Sequence, residues 1–336
     1  MKTPIYLFAL SLLISCSTAV KTAPQENKAR AGFDAVLSEY QYPYPVSYYT
    51  FKSQNEDLRM AYMDIKPVGE IKKTIVMFHG KNFGGFYFEP IIKELVAKGY
   101  RVIAPDQIGF GKSSKPAYFQ YSFQALAKMT DELLIQAEVK DFTLVGHSMG
   151  GMVATRYALM YPDKVKKLIL INPIGLEDYK TLAPYKTVDE LLASELKNDE
   201  TKIREYQKAS YYDGVWKPEY EPMIVPAIGW TKGPDNAVVA RNAALTTDLI
   251  YTQPVVYEFK NLKMPVTMIN GQRDKTAPAK AWASPENQKI MGNYPKLGQD
   301  VIKMIPKGKL IPMKGLGHLP FVEDFEGFMK LFVAEI

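Results

Sequence analysis

The stretch Phe142-Thr143-Leu144-Val145-Gly146-His147-Ser148-Met149-Gly150-Gly151 decides how this chain is to be read. Residues 142–145 form a continuous apolar run, the pattern of a strand covered on both faces, and a helix is expected to begin with Gly150 and Gly151. Between them, glycines on both flanks of Ser148 let a tight strand-to-helix turn close without side-chain clashes. Such a turn forces the serine into a strained conformation and leaves it exposed at the C-terminal end of its strand. The spacing G-x-S-x-G recurs by chance. Its weight here comes from its place after two earlier buried strands and directly before a helix.

Outward from this turn, short β-rich runs alternate with amphipathic helical stretches, the signature of a mostly parallel sheet covered on both faces. Residues 74–78, 101–104 and 168–171 are further apolar strands, and 46–53 with 58–66 alternate apolar and polar like an antiparallel pair at one edge. Phe88, Ile91, Ile92, Leu95 and Val96 follow helical spacing, as does the longer stretch 121–139. The rhythm stops after Pro173 and resumes at Met264, before a buried strand at 265–270. The interval is an insertion with helical stretches at 188–196 and 237–251. It carries Tyr179, Tyr185, Tyr206, Tyr211, Tyr212, Trp216, Tyr220 and Trp230, about half of them expected to form its own core. A last strand at 309–313 leads to a closing helix with one apolar stripe of Phe321, Phe325, Phe328, Met329 and Phe332.

A serine hydroxyl is a poor nucleophile near neutral pH and needs a base, for which histidine is suited. The chain has three histidines. His147 adjoins the serine and points elsewhere, and His79 precedes a glycine at the end of an earlier strand; His318 remains, on the loop after the last strand. In the chain order serine, acid, histidine, the orienting carboxylate is Asp274, in Asn270-Gly271-Gln272-Arg273-Asp274. Glu323 and Asp324 follow His318 too closely to be more than weaker alternatives. Donors for an oxyanion are expected from the backbone N–H of Met149, at a helix start, and of Lys81, in His79-Gly80-Lys81-Asn82. The side chains of Lys81 and Asn82 read as solvent-exposed loop.

With His79-Gly80, the turn 106–113, the nucleophile elbow at Gly146-His147-Ser148-Met149-Gly150 and the paired Asp274 and His318 in this order, the chain resembles the α/β-hydrolase superfamily. The resemblance covers residues from about 45 to 336. It implies an α/β fold with a mostly parallel eight-stranded sheet, helices on both faces and a helical cap inserted after the sixth strand. The core would be residues 41–175 and 262–336, with the cap or lid at 176–261. In this family an aspartate like Asp106 is usually structural, and a histidine like His79 usually braces the oxyanion loop. Ser148 departs from relatives with aspartate at the elbow, the haloalkane dehalogenases and epoxide hydrolases. Leu319 and Phe83-Gly84 depart from those that hydrolyse carbon–carbon bonds in ring-cleavage products.

What remains is a serine hydrolase that cleaves a carboxylic ester, or a related acyl bond, through an acyl-enzyme. A carbon–carbon bond hydrolase, a lipase and an aminopeptidase-like amidase stay as alternatives within the fold, and a non-catalytic ligand-sensing homologue as one outside catalysis. Glu195, Asp199 and Glu200 read as a solvated helix face rather than an amine-recognition cluster. The substrate is expected to be a small acyl ester, and no cofactor or metal is implied.

The other end of the chain bears on location. Residues 5–15 are an apolar stretch behind Lys2, too short to span a bilayer and of the length of an export signal. The run Leu13-Ile14-Ser15-Cys16 resembles a bacterial lipobox, which implies a signal peptide at 1–15 and lipidation at Cys16. Residues 16–40 would then hold the lipidated cysteine and a tether. The expected location is the bacterial cell envelope, lipid-anchored, in the outer membrane where one exists. With 42 Lys and Arg against 36 Asp and Glu and no blocks of like charge, no nucleic-acid partner is indicated. A single cysteine rules out an internal disulfide framework, and 47% hydrophobic residues exclude a disordered chain.

Overall fold

The computed structural model describes residues 32–336. The lipobox reading at Cys16 and the signal at 1–15 lie outside the described residues. Eight strands form one sheet: β1 (Val46–Ser53), β2 (Glu56–Ile65), β3 (Lys73–Phe78), β4 (Tyr100–Pro105), β5 (Phe142–His147), β6 (Val165–Ile171), β7 (Val266–Gly271) and β8 (Gly308–Met313). Their order is β1-β2-β4-β3-β5-β6-β7-β8, with β1 and β2 antiparallel at one edge and β3 to β8 parallel. The eight-stranded sheet and the antiparallel edge pair are as the sequence predicts.

Alternate residues of the central strands serve opposite faces, as a strand's period of two requires. Val76, Phe78, Leu144, Leu168 and Leu170 join one buried cluster, packed with α2 (Phe123–Gln136) and α3 (Met149–Met160). Ile75, Met77, Val145, Ile169 and Ile171 join the other, under α1 (Glu89–Ala97) and the C-terminal α11 (Phe325–Val333). Because both faces are covered, the strands read as unbroken apolar runs.

Between β6 and β7 lie four helices, α4 (Val188–Glu195), α5 (Glu200–Ser210), α6 (Glu221–Lys232) and α7 (Asn236–Thr252). Five of the eight aromatics singled out there are buried, Tyr179, Tyr211, Tyr212, Tyr220 and Trp230. Helices α8 (Pro285–Ile290) and α9 (Tyr294–Met304) follow β7.

Two expectations are corrected. The closing helix is two, α10 (Pro320–Glu323) and α11, because Asp324 leaves helical geometry and its side chain accepts from Gly327 N to start the second. Phe325, at that start, is only half-buried. The tether does not extend to residue 40. Phe33, Leu37 and Tyr40 are buried, Phe33 N donates to Gly229 O at 2.9 Å, and Lys112 Nζ donates to Leu37 O at 2.5 Å. A few large side chains suffice to seat the segment, which a polar average over the region conceals.

The strand order reverses between β3 and β5, so the connections leaving these two strands set out toward opposite faces from their C-terminal ends. The His79-Gly80-Lys81 loop and Ser148 both lie there.

Candidate active site

Ser148 joins β5 to α3 with φ 55° and ψ −123°, a conformation that costs a residue with a Cβ about 1–3 kcal/mol. The turn is held from both sides: Ser148 N donates to Ile171 O at 3.2 Å, and Ser148 O accepts from Gly151 N at 2.9 Å and Ile174 N at 3.2 Å. The flanking glycines are required by close approach. A Cβ on Gly146 would lie 2.5 Å from Gly150 O, and one on Gly150 would lie 2.2 Å from Phe78 O. The loop after β3 passes directly over the serine, since a Cβ on Gly80 would sit 3.0 Å from Ser148 Cβ and 3.4 Å from its Oγ. Met149 is the first residue of α3, so its N–H has no acceptor within the helix.

Asp274, on the loop leaving β7, and His318, on the loop leaving β8, meet across their adjacent strand ends. His318 Nδ1 lies 2.6 Å from Asp274 Oδ2 and donates to it, which leaves Nε2 of the neutral ring as an acceptor. Nε2 is buried and has no hydrogen-bond partner among the described residues, so the structure does not join it to the Ser148 hydroxyl by a hydrogen bond. The carboxylate is fixed by two further donors: Thr276 N reaches Oδ1 at 2.8 Å and Asn172 Nδ2 reaches Oδ2 at 2.8 Å. Ser148, expected from its turn to stand exposed, is only 6% exposed, Asp274 is 2% exposed, and Asn172 and His318 are fully buried, so these groups sit in a water-poor setting that strengthens each contact.

The other two histidines have different partners. His147 Nε2 donates to His318 O at 2.9 Å, and its Nδ1 accepts from the Tyr87 hydroxyl at 2.7 Å, which in turn accepts from Gly80 N at 3.0 Å. This chain of hydrogen bonds ties the β3 loop to the His318 loop. Burial pushes His147 well below the usual imidazole range, with His318 nearby adding to the effect, and so keeps His147 neutral. His79 Nδ1 donates to Gly80 O at 2.7 Å while Nε2 accepts from Gln107 N at 2.9 Å, so it braces the loop. Asp106 accepts from Gly85 N, Lys112 N and the Tyr42 hydroxyl, a structural hub of its turn.

Glu323 and Asp324 do not reach the imidazole of His318 by hydrogen bond. Glu323 Oε1 accepts from Gly317 N at 2.5 Å and its other oxygen pairs with Arg273, while Asp324 caps α11. Burial raises the Glu323 carboxyl, opposed by Gly317 N–H and the Arg273 guanidinium. Two readings of charged side chains are corrected. Lys81 is not solvent-exposed: its ammonium pairs with Glu195 Oε1 at 3.1 Å, with side chains 17% and 19% exposed. Glu195 therefore does not belong to a solvated face, because the end of α4 comes to rest on the β3 loop. Asp199 caps α5, and Glu200 pairs with Arg204 and Lys232. Asn172 and Thr276, which touch Asp274, carry no pattern in the sequence that would have marked them, and Tyr211, which touches His318, stands out there only as one of the insertion's aromatics. Among the described residues no cluster of His, Cys, Asp or Glu could hold a metal ion.

Comparison with known proteins agrees with this architecture. The chain is 44% identical in sequence to the crystal structure of a probable hydrolytic enzyme from Pseudomonas aeruginosa PAO1, with TM-score 0.90 over 92% of this chain and 99% of that one. It is 30% identical over 263 residues to Lipase 1 of Psychrobacter immobilis, covering 76% of this chain and 74% of that protein. It is 25% identical over 332 residues to a probable 1-acylglycerol-3-phosphate O-acyltransferase of Oryza sativa subsp. japonica, covering 83% of this chain and 70% of that protein. Residues 73–323, from the first parallel strand to the end of α10, match the family profile for the alpha/beta hydrolase fold, and the chain belongs to that family.

Proposed function

We propose that this chain is a serine hydrolase that cleaves a carboxylic ester through an acyl-enzyme. The observation that carries the reading is the buried His318–Asp274 hydrogen bond, on loops at the same sheet end as a strained Ser148. In the proposed step His318 Nε2 takes the proton of the Ser148 hydroxyl as its oxygen attacks the ester carbonyl. Asp274 holds the ring in the tautomer that leaves Nε2 free and stabilises the imidazolium that forms. The N–H groups of Met149 and Lys81 receive the negative oxygen, and His318 then returns the proton to the leaving alcohol. Water repeats the sequence on the acyl-enzyme and regenerates Ser148. The relatives named as a lipase and an O-acyltransferase support acyl chemistry.

The test is labelling with a fluorophosphonate, followed by rates on a panel of acyl esters, thioesters, lactones and amides. Ser148→Ala, His318→Ala and Asp274→Asn are each expected to lower kcat by ~10⁴ or more, with the double variants no worse than the singles. Turnover by Ser148→Ala at the parental rate would sink the proposal.

A further inference from the structure

The insertion touches the base itself. Tyr211 O accepts from His318 N at 3.2 Å, and the Tyr211 ring lies over the imidazole with centroids 4.4 Å apart and planes at 33°. The ring is 7% exposed, so it is a seated contact rather than a passing one. Residues on either side of Tyr211 bind the loop that carries Asp274: Ser210 O accepts from Lys275 N at 3.3 Å, and Asp213 pairs with Lys275 at 2.6 Å. The fit leaves no slack, because a Cβ on Gly317, the residue before His318, would fall 1.8 Å from Tyr211 O. One short segment of the insertion thus grips both loops whose side chains meet at the His318–Asp274 hydrogen bond.

We propose that Tyr211 is a positioning residue for His318, its ring face holding the imidazole in plane with Asp274 and favouring the imidazolium that forms during attack. The proposal rests on the reading above of Ser148, His318 and Asp274 as a catalytic triad. An aromatic face is the negative end of a quadrupole and attracts a cation stacked on it, whereas an aliphatic side chain of similar bulk excludes water without that attraction. The charged and titratable groups facing the imidazole from the elements around it are Asp274 from the β7 loop and His147 from the end of β5, whose ring centroid is 4.8 Å away. Glu323, from α10, faces the backbone at Gly317 instead. Tyr211 is the aromatic contact that the insertion contributes.

Replacing the side chain leaves the backbone acceptor at residue 211 in place, so the ring can be tested alone. Tyr211→Phe is expected to match the parent within about two-fold in kcat. Tyr211→Leu is expected to lower kcat about five- to ten-fold with KM within about two-fold, and to move the acidic limb of the kcat/KM profile about 0.5 pH unit lower. In one-dimensional proton spectra, the downfield resonance of the His318 ring N–H bound to Asp274 should stay sharp in Tyr211→Phe and broaden or vanish in Tyr211→Leu. If Tyr211→Leu does not fold, Tyr211→Met carries the same comparison. An aliphatic variant with parental kcat, limb and resonance overturns the proposal, as does Tyr211→Phe failing as badly as Tyr211→Leu. A dead Ser148→Ala beside an unaffected Tyr211→Leu overturns this proposal alone, whereas an active Ser148→Ala removes the triad reading and this one with it.

Discussion

At the scale of single residues, the carboxylate of Asp274 is held by more than its histidine. Asn172, at the end of β6, has φ 38° and is fully buried; its Nδ2 bonds Asp274 Oδ2 and its Oδ1 accepts from Gly271 N at 2.9 Å. The amide therefore locks the β7 loop to the strand beside it and aims the carboxylate at the imidazole. Asn172→Ala is expected to leave buried groups unpaired, costing about 1–3 kcal/mol in urea unfolding. The misaimed carboxylate should lower kcat about ten-fold while KM changes little. Steady-state rates beside the unfolding curve check both; unchanged kcat would show that Thr276 N and His318 hold Asp274 unaided.

At the scale of elements, local capping fixes where the helices of the insertion begin. Thr187 and Glu190 form a reciprocal cap on α4, and Asp199 caps α5. With its N-terminus fixed, α4 delivers Glu195 to Lys81 on the loop that carries a proposed oxyanion donor. Ser148 is 6% exposed and His318 is fully buried, so contacts between the insertion and the loops around them bear on how a reagent approaches. The Lys81–Glu195 pair is one such contact. Glu195→Gln is expected to change overall stability by less than about 1 kcal/mol and to raise the rate of fluorophosphonate labelling about two- to five-fold. A labelling rate equal to the parent's, measured by quenched-flow or gel time course, would show that access does not pass through this contact.

At the scale of the whole molecule, two apolar clusters sandwich the sheet and the C-terminus staples its far edge. Glu335 accepts from Lys167 on β6 and Thr267 on β7, both at 2.8 Å, and pairs with Lys309 on β8. Burial would raise this carboxyl, but the hydrogen bonds from Lys167, Lys309 and Thr267 outweigh it and hold it down to about 2. A carboxyl depressed in the folded state adds stability that is fully present above its unfolded value, about 4.3, and is lost as pH falls towards 2. Glu335→Gln is therefore expected to cost about 1–2 kcal/mol at pH 7, reduced from the fully buried case because Lys309 is largely in water, and almost nothing near pH 2. Urea midpoints of both proteins across that range measure the difference; a gap that persists undiminished at low pH would assign the loss to packing.

The succession of eight strands, the strained serine between Gly146 and Gly150, and the pairing of Asp274 with His318 were legible in the linear chain. Each depends on local patterns, namely apolar runs, turn glycines and the order of three residue types along the sequence. What no local pattern carries is which distant surfaces come to touch. That Asn172 would hold Asp274, that Tyr211 would lie on His318, that Glu195 would leave solvent for Lys81 and that Phe33 would seat the start of the described chain were decided by tertiary packing. An amide, a tyrosine or a glutamate acquires such a role only from the neighbour that folding brings to it, and sequence separation gives no measure of that proximity.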